Sequence, residues 1–162
     1  MIKTNYDTQN NIYSAICPVF INIKPDNLDL NLLISDVVCY HETELSEFIF
    51  KDNYGWLSIE QLFQLIKNRK ISYIWGVVSC FKKDITLEEI LKHPLPFSNG
   101  YAKFDDHLSS LIHHPFACVE ITPWDNENII ITSNDETIFN NIINNLIFEK
   151  HIDDITQYQK LS

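Results

Sequence analysis

A chain of 162 residues, 45% hydrophobic and 21% charged, has the length and composition of one globular domain, and three glycines and six prolines leave little scope for long linkers. Its formal net charge of −10 repels phosphate backbones and anionic lipid, so direct nucleic-acid and membrane binding are not expected, whereas basic partners are attracted. No apolar run approaches the ~20 residues that span a bilayer.

The opening, MIKTNYDTQNNIYS, is polar and lacks the basic-then-apolar layout of a secretory signal, which points to the cytoplasm. Residues 11–23, NIYSAICPVFINI, are rich in β-formers and predict an extended segment broken near Pro18. Lys24-Pro25-Asp26-Asn27 is turn chemistry. The stretch 28–38 alternates like a strand in its first half and spaces like a helix in its second. LSEFIF, 45–50, predicts a short strand, with Asp52-Asn53-Tyr54-Gly55 as its turn.

Ser58 with Gln61 forms a capping box opening a helix whose apolar stripe runs through Ile59, Leu62, Phe63, Leu65 and Ile66 to about Lys70. SYIWGVVSCF, 72–81, is nearly all apolar or small, the pattern of a central strand covered on both faces. Thr86 with Glu89 is a second capping box, for a short helix closed before Pro94. HPLPFSNGY, 93–101, is a proline-bearing loop, and Asp105 can cap a helix bearing Leu108, Leu111 and Ile112 that ends before Pro115. FACVEIT (116–122) and NIIITS (128–133) predict a β-hairpin around PWDNE. Ser133 with Glu136 is expected to cap a last amphipathic helix carrying Ile138, Phe139, Ile142, Ile143, Leu146 and Ile147, and HIDDITQYQ a final edge strand. Together these predict a single α+β domain over 1–162, with a mainly antiparallel or mixed β-sheet and helices packed on one side of it. The hairpin, helix and closing strand resemble half of a ferredoxin-like unit.

Four separated cysteines, Cys17, Cys39, Cys80 and Cys118, form no C-x-x-C pair, so reduced thiols, mostly buried, are expected and no disulfide or zinc ribbon. The strongest metal candidate is DDHLSSLIHH, with Asp105, Asp106, His107, His113 and His114. Histidines six or seven apart on a helix lie nearly two turns apart and do not converge on one ion; capping by Asp105 and surface histidines near a helix C-terminus explain the run, and no metal or other cofactor is expected. Cys39 lies two residues before His41, but Glu42, Glu44 and Glu47 follow, where a thiolate needs a positive site. No G-x-S-x-G elbow, P-loop or dinucleotide fingerprint occurs, and no catalytic residue is assigned.

Charge patterning is the most informative feature. Eight acids face one lysine from Asp26 to Glu60, and ten face one lysine from Asp105 to Asp154. Lys67, Arg69, Lys70, Lys82 and Lys83 form a basic interval between them, which predicts an electrostatic dipole. The candidate partner-binding residues are Glu42, Glu44, Glu47, Asp125 and Glu127, with Trp56 and Trp124 beside turns as apolar anchors.

With acid-rich stretches such as HETELSEF and TPWDNEN beside aromatics, the chain resembles, at the level of a class, the small acidic cytoplasmic immunity proteins of bacterial toxin–immunity systems such as contact-dependent growth inhibition. The resemblance implies a protein that is not an enzyme and that neutralises a cognate, basic nuclease toxin by occluding its active site, as a monomer or homodimer. The alternative is a small cytosolic enzyme or ligand-binding domain whose site is assembled from dispersed residues.

Overall fold

A computed structural model of the chain describes residues 2–4, 30–40, 53–62, 72–97, 112–124, 128–148 and 152–155. Within them, strands β1 (Ile2–Thr4), β2 (Leu30–Tyr40), β3 (Tyr54–Ser58), β4 (Ser72–Lys82), β5 (Val119–Trp124), β6 (Asn128–Ser133) and β7 (Ile152–Ile155) form one sheet in the order β3-β2-β4-β5-β6-β1-β7. Every pairing is antiparallel. A helical turn at 59–62, helix α1 (Leu87–Ile90) and helix α2 (Glu136–Phe148) complete the described elements. The α+β class read from the sequence is the class observed.

The ambiguous stretch after Leu28 resolves into one strand. Val37 and Val38 supply β-branched side chains that suit extended backbone, and the helix-like spacing of its second half comes from a bulge. Ser35 pairs with Val77 and Val38 with Trp75, so Asp36 and Val37 together oppose Gly76. Asp36 takes φ 51° and Gly76 φ 149°, the latter a conformation that a side chain disfavours. The extra residue is matched when Cys39 pairs with Tyr73, leaving Ile74 over on β4, and the original register returns.

β4 is central, as its composition predicts, with Gly76 to Phe81 buried without interruption. Cross-strand pairs share a face of the sheet. Trp56, Leu33, Ser79, Glu120 and Thr132 therefore form one rung across β3, β2, β4, β5 and β6. The opposite face carries Leu32, Ile34, Val78, Cys80, Val119 and Ile121, all buried. Cover is thus needed on both faces of the centre. On the rung's face, Leu33, Phe81, Ile90 and Ala117 make a buried cluster, edged by Tyr54, Trp56, Ile85, Leu87, Leu95 and Ile112. Ser35 on β2 fixes that cover by donating its hydroxyl to the Pro96 carbonyl at 2.6 Å.

Both early capping boxes form. Ser58 and Gln61 exchange backbone-to-side-chain bonds of 2.8 and 3.2 Å. Thr86 and Glu89 do the same at 2.9 and 3.3 Å. The Thr86 hydroxyl, donating to the Glu89 carboxylate at 2.7 Å, and then the Thr86 amide hold the Glu89 pKa below its ordinary value. The third box is corrected. Asp135, not Ser133, caps α2: its Oδ1 accepts from the Thr137 and Ile138 amides, both at 3.1 Å. The Ser133 hydroxyl instead accepts from the Asp135 amide, 3.0 Å away, and lies 2.9 Å from the Cys118 carbonyl as a donor.

Three other boundaries shift. Tyr54 and Gly55 open β3 rather than a turn, and Asn53 before them takes the left-handed conformation, φ 62°. The hairpin strand begins at Val119 and continues through Pro123 and Trp124, and the residues that join it to β6, 125–127, lie outside the described residues. β1 falls in the polar opening, where no strand is predicted. β7 is the edge strand expected of the tail, beyond β1. Since β6 and β7 both run antiparallel to the β1 between them, β6, α2 and β7 make a split β-α-β unit, in keeping with the ferredoxin-like comparison. Ile138 and Ile142, one turn apart on α2, are buried. The segments 11–23, 45–50 and 105–111, and residues 63–70, lie outside the described residues.

Candidate functional site

Glu120, the second residue of β5, has 1% of its surface exposed and stands on the same rung as Ser79. A buried carboxylate needs donors, and it has four. Oε1 accepts from the Ser79 hydroxyl at 3.2 Å and the His114 amide at 3.0 Å. Oε2 accepts from the His113 amide at 2.7 Å and meets His113 Nδ1 at 2.9 Å. The acid therefore holds the segment 112–117, which precedes its own strand, down on the sheet.

The rest of that segment is equally committed. The Ala117 amide donates to the His114 carbonyl at 3.1 Å, and Asn134 Nδ2 donates to the Ala117 carbonyl at 3.1 Å. The Cys118 amide reaches the Cys80 carbonyl at 2.9 Å. His114 is fully buried, edge-on to Phe81 at a ring separation of 4.9 Å and to His93 at 5.4 Å. Burial lowers its pKa, outweighing the hydrogen bond to the Ile90 carbonyl. The His113 side chain is 38% exposed, and its hydrogen bond to Glu120 raises its pKa against the effect of partial burial. The expectation of two surface histidines serving a helix C-terminus is thus corrected for His114, which is a core residue with both ring nitrogens engaged.

Chemically, Glu120 and His113 form a carboxylate–imidazole dyad. A carboxylate on Nδ1–H fixes the tautomer whose Nε2 can accept a proton, the arrangement of an oriented general base. Ser79 does not extend it into a nucleophilic triad, because its hydroxyl donates to Glu120 and is buried. Cys80 and Cys118 are free, buried thiols. Burial raises both pKa values, that of Cys80 strongly and with help from Cys118 and Glu120, so neither is an activated nucleophile. Cys39 lies in β2 in register with Tyr73. Among the described residues, no group of three or more His, Cys, Asp or Glu is placed to hold a metal ion, and no helix is long and apolar enough to cross a membrane.

Of the partner-binding candidates, Trp56 is half-buried in β3 with its ring 6.1 Å from Phe81, so part of its surface belongs to the core. Trp124 ends β5 in register with Asn128. Three strand spacings and four residues separate the two positions, roughly 20 Å on the sheet. Glu42, Glu44, Glu47, Asp125 and Glu127 lie outside the described residues, as do Asp105, Asp106 and His107. Their attachment points are informative. β2 and β5 are both antiparallel to β4, so they finish at the same end of the sheet. The chain leaves for 41–52 after Tyr40 and for 125–127 after Trp124 at that end. Of the basic interval, Lys82 closes β4 at the opposite end, and Lys67, Arg69 and Lys70 lie outside the described residues.

Sequence reasoning missed Glu120 and Ser79. The signal was a single ionisable residue inside the apolar run ACVEI, and a hydroxyl inside VVSCF. Comparison with protein-family models, curated proteins and solved structures gives no match.

Proposed function

We propose that this chain is a bacterial immunity protein of the cytoplasm that binds a cognate basic nuclease toxin and neutralises it by occluding the active site. The observation that carries the reading is the shared attachment of both acid-rich connections, 42–47 and 125–127, to one end of the sheet in a protein of net charge −10. Carboxylates there would pair with the cations that the toxin uses for substrate phosphates, blocking it by occupancy and charge. The hairpin supports this role mechanically, since its register runs unbroken from Val119↔Ser133 to Trp124↔Asn128 beneath the acidic turn.

One observation favours a second reading, a small enzyme or ligand-binding domain. Ser79, His113, His114 and Glu120 are dispersed in sequence and assembled in space, and His113 reaches solvent. Against it, the donors around Glu120 are spent on holding backbone. The test is coexpression with the toxin domain encoded by the adjacent upstream gene, with growth rescue as the readout. Protection supports immunity. Loss of growth with every linked toxin domain ends that reading, and a metabolic neighbour with measurable turnover abolished by His113→Gln supports the second.

A further inference from the structure

His114 and His113 place opposite demands on their protons. The Phe116 amide lies 3.2 Å from His114 Nδ1 as a donor, and His114 Nε2 lies 3.2 Å from the Ile90 carbonyl. An amide N–H only donates and a carbonyl only accepts, so the ring accepts at Nδ1 and donates at Nε2. The neutral Nε2–H tautomer alone satisfies both. Protonation at Nδ1 would set one N–H against another in a site with no exposed surface, where an unsatisfied donor is costly. His113 is the reverse case. Its Nδ1 faces the Glu120 carboxylate at 2.9 Å, so the imidazolium strengthens that bond.

Among the described residues, two other titratable groups face the pair. On β5, Glu120 binds the His114 amide and His113; from the segment after α1, the His93 ring stands edge-on to His114 at 5.4 Å. The other described neighbours are uncharged: Phe81 and Ser79 on β4, Ile90 at the end of α1, Phe97 beside His113 at 6.5 Å and Phe116 itself. The His93 ring adds to the burial that disfavours a positive charge on His114.

We propose that His113 and His114 form a pH-sensitive latch on residues 112–117, tightest when His113 is charged and His114 neutral, and released by acid at its Phe116 end. The opposite directions of the two pKa shifts, His113 up through Glu120 and His114 down through burial, agree with this. On release, the amide of Phe116 loses its acceptor and the floor beneath the segment, Phe81 and Ile90, is uncovered. His113 remains clipped to Glu120, so the segment opens from one end.

The experiment is amide hydrogen exchange on the full chain by NMR between pH 5 and 8, with rates corrected for intrinsic chemistry. The Phe116 opening equilibrium should rise about tenfold per pH unit below roughly pH 6.5, the ordinary histidine value regained in the open state. Val119 and Ile121 amides should keep their protection across the range. In His114→Gln the Phe116 opening should become independent of pH. An unchanged pH slope in that variant, or a flat profile in the wild-type chain, overturns the latch. If the variant does not fold, nitrogen-15 labelling of the wild-type histidines decides the matter. A neutral Nε2–H ring for His114 whose titration coincides with Phe116 opening supports the proposal; a ring that titrates with Phe116 still protected, or that is Nδ1–H when neutral, overturns it.

Discussion

Glu120 takes hold of His113 twice, at the backbone amide, 2.7 Å, and at Nδ1, 2.9 Å, so a side chain near the start of β5 fixes both the path of the preceding segment and the orientation of its imidazole. With Ser79 and the His114 amide on its other oxygen, the carboxylate has donors on every side. A buried acid is kept in an apolar sheet only where such a set compensates its lost hydration.

Replacing Glu120 should therefore be among the most damaging substitutions in the chain. Glu120→Gln sets an amide NH₂ among fixed donors, and Glu120→Ala leaves them unpaired. We expect a loss of about 3–5 kcal/mol for Glu120→Ala, the scale for breaking a buried charged pairing. Ser79→Ala, which removes one neutral donor, should cost about 1 kcal/mol. Urea unfolding with an unchanged m-value measures both; equal costs would show that Ser79, not the histidine amides, is the partner that matters.

Phe81 carries the apolar side of the same region. It is fully buried, touches Trp56 and His114 through its ring, and belongs to the cluster that seats α1 and the segment 112–117. Phe81→Ala should cost about 3–5 kcal/mol through the cavity it leaves, whereas Phe81→Leu should cost less than half of that. Thermal unfolding of the two variants checks the order.

Gly76 is required by the bulge opposite Asp36 and Val37. At φ 149° a Cβ is strained, and the residue is buried between strands. Gly76→Ala should lose about 1–3 kcal/mol. The same change at Gly55, for which no such conformation occurs, should be milder. Reversing that order in denaturant titrations would remove the bulge as the reason for the glycine.

Those three cases show what was readable in advance and what was not. Composition sufficed for β4, because a strand buried on both faces must be almost wholly apolar or small, and for the Ser58 and Thr86 caps, whose partners lie three residues away. The split of the 28–38 pattern was misleading because a bulge shifts side-chain alternation by one residue, as a helix also would over a short window. The Ser133 box failed because the hydroxyl had a better use beside the Cys118 carbonyl, and Asp135 stood ready with a carboxylate. His114 and Glu120 were opaque for a stronger reason: whether a polar side chain is a surface group or a buried clamp depends on strand pairing, and neither residue's sequence neighbours encode the 79–120 register.

The pH dependence of stability should carry the sign of the His113 pairing. Its folded pKa is raised, so its contribution is fully present below the unfolded value of about 6.5 and is lost as pH rises through the folded value. His114 is lowered, so its contribution is present above about 6.5 and is lost as pH falls through its folded value. His113→Gln should then cost more at pH 6 than at pH 9, by under about 1 kcal/mol because the side chain is partly solvated. A cost that grows toward pH 9 would mean that Glu120 does not stabilise the imidazolium.

The proposed binding face makes a kinetic prediction that separates its charges from its aromatic anchors. Rim carboxylates act through long-range attraction, so they set the association rate and its dependence on salt. A side chain packed in the centre of an interface acts on how long the complex lasts. Asp125→Lys with Glu127→Lys, on the turn that the Trp124↔Asn128 pair closes, should slow association with the toxin domain and flatten its salt dependence while leaving dissociation near the wild-type rate. Trp124→Ala should leave association nearly unchanged and speed dissociation, corresponding to about 2 kcal/mol or more if the residue is a hot spot. Trp56→Ala should lower stability together with affinity, because its ring also rests on Phe81, so its effect on dissociation has to be read against an unfolding curve of the same variant. Surface-based binding kinetics at two salt concentrations measure all three. Growth rescue with unchanged kinetics in the charge-reversed protein would keep the immunity function and move its interface away from the end of the sheet where β2 and β5 finish.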